Sequence, residues 1–166
     1  MSAHTENSIL IDADIDTVWT LTNDLESWPD LFTEYASVEI LEKRENTFKF
    51  RLAMHPDENG TVWSWVSERI LDPANYHVRA YRVETGPFEY MHIEWTYVPE
   101  GGGTRMRWVQ DFHMRPGAPV DDEQMTRRIN TNSVVQMGVI KEKVESAARA
   151  ASASRIPSQV AGGEDA

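Results

Sequence analysis

One alternating stretch near the middle of the chain places aromatic, hydroxyl and cationic side chains on a single face. Residues 61–71 read TVWSWVSERIL, and this alternation predicts a β-strand. One face of that strand would carry Trp63, Trp65, Ser67 and Arg69. Buried faces are usually filled with aliphatic side chains, and solvent-facing ones rarely hold two tryptophans. The pattern therefore indicates a pocket wall that is aromatic at one end and cationic at the other.

Each of these side chains also has a purely structural interpretation. A tryptophan on a strand face is a core residue by default. Arg69 could reach a sheet edge or pair with Glu34 or Glu84, because ion pairs are the commoner use of such an arginine. The residues alone leave both interpretations open.

Composition restricts the classes of function. The 166 residues are 40% hydrophobic, include no cysteine and carry a formal net charge of -11. One domain with a sizeable core is expected, and its acidity disfavours nucleic acid and anionic membranes as partners. No apolar run is long enough to span a bilayer, and no leader opens the chain. We therefore expect a cytoplasmic protein without disulfides or a thiolate nucleophile.

The five histidines form no metal-ligand set. His92 and His113 each have a single carboxylate two residues away and no second histidine nearby, so we expect no metal. No glycine-rich phosphate cradle is visible either. The three glycines at residues 101–103 are typical of a hairpin turn.

The elements that must position the pocket can be read in chain order. Residues 7–11 predict a strand, a helix capped by Asp14 or Asp16 follows, and Trp28 and Pro29 begin a second short helix. Without helices between them, six further strands should form one antiparallel sheet. These strands are predicted at residues 36–43, 47–54, 61–71, 76–84, 88–98 and 104–114.

A long helix is predicted from Asp121 or Asp122 to about Ala150. Its apolar residues recur at helical spacing and should face the sheet, with Gln136 as a polar exception on the same stripe. The stripe consists of Met125, Ile129, Ile140 and Val144.

This element order is that of an α+β helix-grip (START/Bet v 1-like) fold. In such a fold a seven-stranded antiparallel sheet wraps around the long C-terminal helix and leaves an interior cavity. We expect one domain over residues 1–150. Residues 151–166 are rich in Ala, Ser and Gly, which predicts a disordered tail.

Seven stretches between Thr5 and Lys143 also carry a family resemblance: NSILIDA, TNDLESWPDLFTEYA, WSWVSER, RVETGPFEYM, WTY, MRWVQDF and RPGAP. The sequence resembles the single-domain aromatase/cyclases of bacterial aromatic polyketide biosynthesis, in the START-like superfamily. It is especially similar to the tetracenomycin-type and spore-pigment-type members. The resemblance implies a cyclising dehydratase (a lyase type) of antibiotic or spore-pigment biosynthesis. Such an enzyme closes and aromatises the first ring of a carrier-bound poly-β-ketone, here between the ninth and fourteenth carbons.

The resemblance also implies roles for individual residues. Arg69 matches the family's catalytic or anchoring arginine, and Tyr35 matches a tyrosine implicated in proton transfer or positioning. Gln136 stands where at least some relatives carry asparagine, which changes cavity length and hydrogen bonding. The other implied substrate contacts are Ser67, Arg82, Gln110, Trp28, Phe32, Trp63, Trp65, Phe88, Met91, Trp95 and Trp108.

The residues support a plausible chemistry for this activity. Arg69 could hold a ketone oxygen as negative charge develops on it, with Ser67 as a second donor. Tyr35 or an ordered water could supply the proton, and the tryptophans would hold the flat product. The alternative is a non-catalytic START-like protein that binds an apolar or aromatic molecule. A pure carrier has no need for Ser67 and Arg69 beside tryptophans.

The implied substrate also implies partners. It would arrive from a ketosynthase/chain-length factor on the phosphopantetheine arm of an acyl carrier protein, and no further cofactor is expected. Carrier proteins are usually acidic, as is this chain, so docking needs a local basic patch. Arg115, Arg127 and Arg128 are the candidates for that patch.

Overall fold

A computed structural model of the chain describes residues 2–165, with side chains described for residues 2–152. Its strands are β1 Ala3–Ile11, β2 Tyr35–Arg44, β3 Thr47–Met54, β4 Ser64–Asp72, β5 His77–Arg82, β6 Phe88–Glu100 and β7 Gly103–Met114. Its helices are α1 Ile15–Asn23, α2 Trp28–Leu31 and α3 Asp122–Asp165, with 3₁₀ turns at Leu25–Ser27 and Pro73–Asn75.

The seven strands form one antiparallel sheet in the order β1-β7-β6-β5-β4-β3-β2. β2 to β7 follow one another as a meander, and β1 closes the far edge by pairing with β7. The helix-grip prediction is confirmed. β1 begins at Ala3, earlier than predicted, because its first residues pair with the end of β7, Ala3 lying opposite Phe112.

Local sequence signals account for the short helices. The Asp14 carboxylate accepts a hydrogen bond from Thr17 N at 3.1 Å, so Asp14 rather than Asp16 is the N-cap of α1. Pro29 lies in the first turn of α2, where its missing N–H costs nothing. These caps set where α1 and α2 begin.

The long helix α3 packs its predicted stripe inward. Met125, Ile140 and Val144 are buried, and Asn7 of β1 donates a hydrogen bond to Asn130 of the helix at 3.0 Å. α3 continues over residues 151–165, beyond its predicted end near residue 150. Most of that extension lies outside the described side chains, so the disordered tail stays a prediction. No helix of the described part of the chain is long and apolar enough to cross a membrane.

β4 begins three residues later than predicted, at Ser64. The Asp57 carboxylate organises the preceding loop: it accepts hydrogen bonds from Thr61 N at 3.0 Å and from Trp63 Nε1 at 3.0 Å. These bonds hold the Trp63 ring against the loop, although its carbonyl oxygen still accepts a hydrogen bond from Met54 N at 2.8 Å. Trp63 is consequently 54% exposed, and its predicted place in the pocket wall is wrong.

Candidate active site

A cavity of about 230 Å³ lies between the sheet, α2 and the first half of α3. Most of the predicted contact residues line it, together with several that the sequence did not indicate. The lining consists of Trp28, Phe32, Glu34, Tyr35, Phe50, Leu52, Trp65, Ser67, Arg69, Ala80, Arg82, Phe88, Met91, Ile93, Trp95, Trp108, Gln110, Ile129, Asn132 and Ser133.

Strand register brings these residues together. Arg69 lies opposite Ala80, Ala80 opposite Ile93, and Ile93 opposite Gln110, so one row of side chains crosses β4 to β7. Side chains opposite one another on antiparallel strands share a face. Ala80 is the smallest member of this row, and it leaves space between Arg69 and the later strands.

Arg69 is 2% exposed, and its guanidinium is held by an amide and two aromatic rings. Its Nε and Nη2 atoms donate to Asn23 Oδ1 at 3.2 and 2.7 Å. The guanidinium carbon lies 4.2 Å from the Trp95 ring centroid and 5.0 Å from that of Trp28. Among the side chains of residues 2–152, Arg69 therefore has no carboxylate partner, and it does not reach a sheet edge.

The two acidic partners considered for Arg69 are engaged elsewhere. Glu84 forms a two-point ion pair with Arg51 on the outer face, at 2.9 and 3.0 Å, and Glu34 accepts a hydrogen bond from Asn132. Burial lowers the pKa of Arg69 to about 10, which still leaves the group cationic at neutral pH. The site thus holds a buried positive charge on an aromatic surface.

Three near-parallel tryptophan rings and Phe32 form an aromatic wall of the cavity. The Trp95 and Trp108 ring centroids are 4.6 Å apart at 14°, and those of Trp28 and Trp95 are 5.9 Å apart at 17°. The Phe32 ring packs beside all three tryptophans, with its centroid 5.0 Å from that of Trp28, 6.5 Å from that of Trp95 and 6.1 Å from that of Trp108. Flat, near-parallel rings of this kind match a planar conjugated ligand.

Tyr35 lies at the junction of α2 and the sheet, at the start of β2. Its ring is stacked 6.0 Å from Trp28 and lies 4.9 Å from Phe32. Burial, and then the neighbouring Glu34, raise the pKa of Tyr35 well above its ordinary value. The phenol is therefore neutral at physiological pH and can donate a proton or a hydrogen bond.

Arg82 lines the cavity wall between two aromatic rings. Its guanidinium carbon is 4.5 Å from the Trp65 ring centroid and 5.1 Å from that of Phe88. Burial lowers the pKa of Arg82 to about 10. Within the described side chains, the Gln110 amide hydrogen-bonds only to the weak acceptor Met91 Sδ, at 3.8 Å, so it is available to a ligand.

Gln136 is buried, as expected for its stripe, yet it does not line the cavity. Its amide oxygen accepts from Thr33 N at 3.0 Å, and its nitrogen donates to Thr33 Oγ1 at 2.8 Å. These two bonds fasten α3 to the segment after α2. The prediction that Gln136 contacts substrate is therefore wrong. Its amide already makes hydrogen bonds to Thr33, so its role is structural.

Asn132 is a polar cavity residue that the sequence did not single out, and Glu34 was considered only as an ion partner of Arg69. Asn132 Nδ2 donates to Glu34 Oε2 at 3.1 Å across the entrance between α3 and β2. Glu34 directly precedes Tyr35, so its place in the chain was a usable signal. Asn132 lies one turn beyond Ile129 on α3, and helical spacing could have found it.

Replacing Glu34 by glutamine should stabilise the protein increasingly as pH rises. Burial raises the pKa of Glu34 above its ordinary 4.5. Between the ordinary pKa of the unfolded state and the higher pKa of the folded state, the folded protein still holds a proton that the unfolded chain has released. The free energy of unfolding therefore falls as pH rises through this interval. Glutamine does not titrate and can still accept from Asn132. Urea unfolding at about pH 4 and about pH 7 checks this, with the variant's advantage larger at the higher pH.

Glu100→Gln is the matched control, because its expected effect has the opposite sign. A hydrogen bond from Arg105 lowers the pKa of Glu100, so this carboxylate stabilises the fold only where it is ionised. The Glu100 variant should lose stability relative to the parent as pH rises. Parallel pH trends in the two variants would contradict the assignment for Glu34.

Known proteins with similar sequences are polyketide cyclases. Residues 11–130 match the family described as polyketide cyclase / dehydrase and lipid transport. A protein of Streptomyces cyaneus named as a candidate polyketide cyclase is 61% identical over 145 residues, covering 87% of this chain and 95% of its own. The granaticin polyketide synthase bifunctional cyclase/dehydratase of Streptomyces virginiae is 27% identical, covering 81% of this chain and 44% of its own.

Solved structures show the same fold. The Zhui aromatase/cyclase of Streptomyces sp. R1128 superposes with a TM-score of 0.76 at 23% identity, covering 87% of this chain and 94% of that one. Because the family match spans residues 11–130 and a relative is 61% identical over 145 residues, the chain belongs to the polyketide cyclase / dehydrase and lipid transport family.

Proposed function

We propose that this protein is an aromatase/cyclase of aromatic polyketide biosynthesis that closes the first ring of a poly-β-ketone and dehydrates it to an aromatic product. The observation that carries the proposal is Arg69, a buried cation without a carboxylate partner on a wall of stacked tryptophans. An apolar ligand alone gains nothing from such a charge, whereas a reaction that develops an oxyanion does.

The proposed reaction begins with an aldol addition. A methylene carbon between two ketones loses a proton to a water molecule and attacks a ketone carbon further along the chain. Arg69 and Ser67 donate to the oxygen on which negative charge develops, since both line the same strand face of the cavity. The attacked ketone oxygen becomes an alkoxide, which takes up a proton.

Tyr35 is the proposed proton donor to that alkoxide. It lines the cavity as a neutral phenol, and Glu34 beside it can return the proton. Loss of the resulting hydroxyl as water, with a proton from the adjacent carbon, gives a ring double bond, and enolisation of the two remaining ring ketones then makes the ring aromatic. An ordered water in place of the phenol would serve the same step.

The shape of the cavity supports control over which carbons meet. Trp28, Trp95 and Trp108 present nearly parallel rings to the cavity, so a growing planar ring has a favoured orientation against them. Closure between the ninth and fourteenth carbons is the proposed regiochemistry, on the resemblance to the tetracenomycin-type and spore-pigment-type members.

An acyl carrier protein and a ketosynthase/chain-length factor are the proposed partners. Of the basic residues suggested for docking, Arg115 donates to Phe88 O at 3.0 Å and Thr85 Oγ1 at 2.7 Å. Arg127 pairs with Glu123 at 2.9 Å. The docking patch remains a proposal in which Arg128 is the best placed residue, because Arg115 and Arg127 already have partners.

The decisive experiment is co-expression with a minimal polyketide synthase of known chain length, followed by identification of the products. We expect an aromatic first ring joined between the ninth and fourteenth carbons, at the expense of spontaneously cyclised shunt products. An unchanged product pattern, with an aromatic ligand still bound by the purified protein, would instead favour a binding protein. A ring closed between other carbons would refute only the regiochemistry.

A further inference from the structure

The partner of Arg69 is neutral, although a carboxylate is the usual partner of a buried arginine. Both hydrogen bonds of its guanidinium go to Asn23 Oδ1, at the last residue of α1. The charged or ionisable groups that act on Arg69 are the phenols of Tyr97 and Tyr35. The charge of Arg69 is thus held in place but not neutralised.

Neighbours on both sides determine the orientation of the Asn23 amide. Arg69 presents only donors, so it requires the amide oxygen. On the opposite side, Asn23 Nδ2 donates to Trp19 O at 2.9 Å and to Tyr97 Oη at 3.3 Å. The Trp19 carbonyl oxygen can only accept a hydrogen bond, so the amide nitrogen of Asn23 must face it. Asparagine satisfies both neighbours, and an aspartate would face Trp19 O with a second acceptor.

The network behind Asn23 is closed and uncharged. Thr22 Oγ1 donates to Val18 O at 2.7 Å and lies 2.7 Å from Tyr97 Oη, which leaves the phenol to donate to Thr22 and accept from Asn23. Thr22 is fully buried and Tyr97 is 4% exposed. The backing of Arg69 is therefore rigid, and it supplies no compensating negative charge.

The rest of the cavity adds a second cation and little negative charge. Arg82 lines the wall, and its buried Nε has no hydrogen-bond partner among the described side chains. Glu34 is the one carboxylate among the lining residues, and burial raises its pKa. A chain with a net charge of -11 thus encloses a cationic interior.

We propose that Asn23 is a positioning residue that fixes the Arg69 guanidinium without neutralising it, so that the cavity selects the anionic form of an aromatic ligand. The inference rests on the proposed function, in which the anion is the enolate or phenolate oxygen of the polyketide. A carboxylate at this position would satisfy the guanidinium directly and weaken its attraction for a ligand anion.

Two probes of the same shape test the selection. 2-Naphthoate and 2-naphthamide share their rings and differ in charge at neutral pH, and quenching of tryptophan fluorescence reports their binding. The parent protein should bind the anion about 10-fold more tightly than the amide. Arg69→Met should abolish that preference.

Asn23→Asp and Asn23→Leu form the matched pair. Both lose the bonds that Asn23 donates to Trp19 and Tyr97, and they differ in charge. In Asn23→Asp the ratio of naphthoate affinity to naphthamide affinity should fall to about 1. In Asn23→Leu this ratio should stay within about 3-fold of the parent's. Because the leucine variant releases the guanidinium, its product formation should still fall while the anion preference survives.

Three results would overturn the proposal. They are a parent protein without anion preference, a folded Asn23→Asp variant that keeps the full preference, and loss of the preference in Asn23→Leu. If Asn23→Asp does not fold, the anion preference of Asn23→Leu tests the proposal by itself. Failure of the proposed function would appear separately, as an unchanged product pattern in co-expression, since naphthoate binding requires no turnover.

Discussion

Replacement of Arg69 by methionine is expected to lower formation of the directed aromatic product about 100-fold, with spontaneously cyclised shunts in its place. Methionine keeps much of the buried volume but removes the guanidinium that donates to Asn23 and lies over Trp95. The reacting oxygen then loses its charged donor. Product analysis after co-expression with a minimal synthase measures the effect.

Arg69→Lys separates charge from hydrogen-bond geometry. Lysine keeps the cation but cannot make the same forked pair of bonds to Asn23, so an intermediate loss of about 10-fold is expected. Glu100→Ala is the control, because that side chain is paired with Arg105 on the surface and should not alter product formation. A methionine variant that folds and gives the parent's products would show that Arg69 has no catalytic role.

Replacement of Trp95 by alanine is expected to cost about 3–5 kcal/mol in the free energy of unfolding. Trp95 is 5% exposed, packs face to face with Trp108 at 4.6 Å and lies 4.2 Å from the Arg69 guanidinium. Its loss leaves a cavity and strips the buried cation of its aromatic contact. Urea unfolding followed by circular dichroism measures the change.

Trp63→Ala is the matched tryptophan control. Trp63 is 54% exposed and makes one side-chain hydrogen bond, to Asp57 at 3.0 Å, so a loss of at most about 1 kcal/mol is expected. Equal losses in the two variants would mean that the stack around Trp95 contributes no more than a surface contact. The control also checks that Trp63 is not a pocket residue, since product formation should be unchanged.

The sheet and the face that each strand residue occupies were predictable because they depend on local periodicity. Alternation placed Ser67 and Arg69 on one face, whereas the place of Trp95 and Trp108 beside them was implied by the family resemblance. Helical spacing likewise identified the buried side of α3. A period is a property of a short segment, so no knowledge of distant residues was needed.

Two residues had the predicted face or parity but a different neighbourhood. Trp63 has the parity of Trp65, yet Asp57 holds it in the loop before the strand begins. Gln136 lies on the buried stripe of α3, yet Thr33 satisfies its amide. Periodicity states which way a side chain points, and it does not state which polar group is nearest.

The partner of Arg69 depended on the tertiary structure alone. Glu34 and Glu84 were the reasonable candidates because charge attracts charge, but Glu84 faces outward to Arg51 and Glu34 lies at the entrance beside Asn132. Asn23 comes 46 residues before Arg69 in the chain. The two meet because the Arg69 side chain reaches from β4 to the end of α1, and a contact of this kind leaves no trace in either local sequence. The sequence identified the charge of the site, whereas the fold decided that the charge would stay free to act on a ligand.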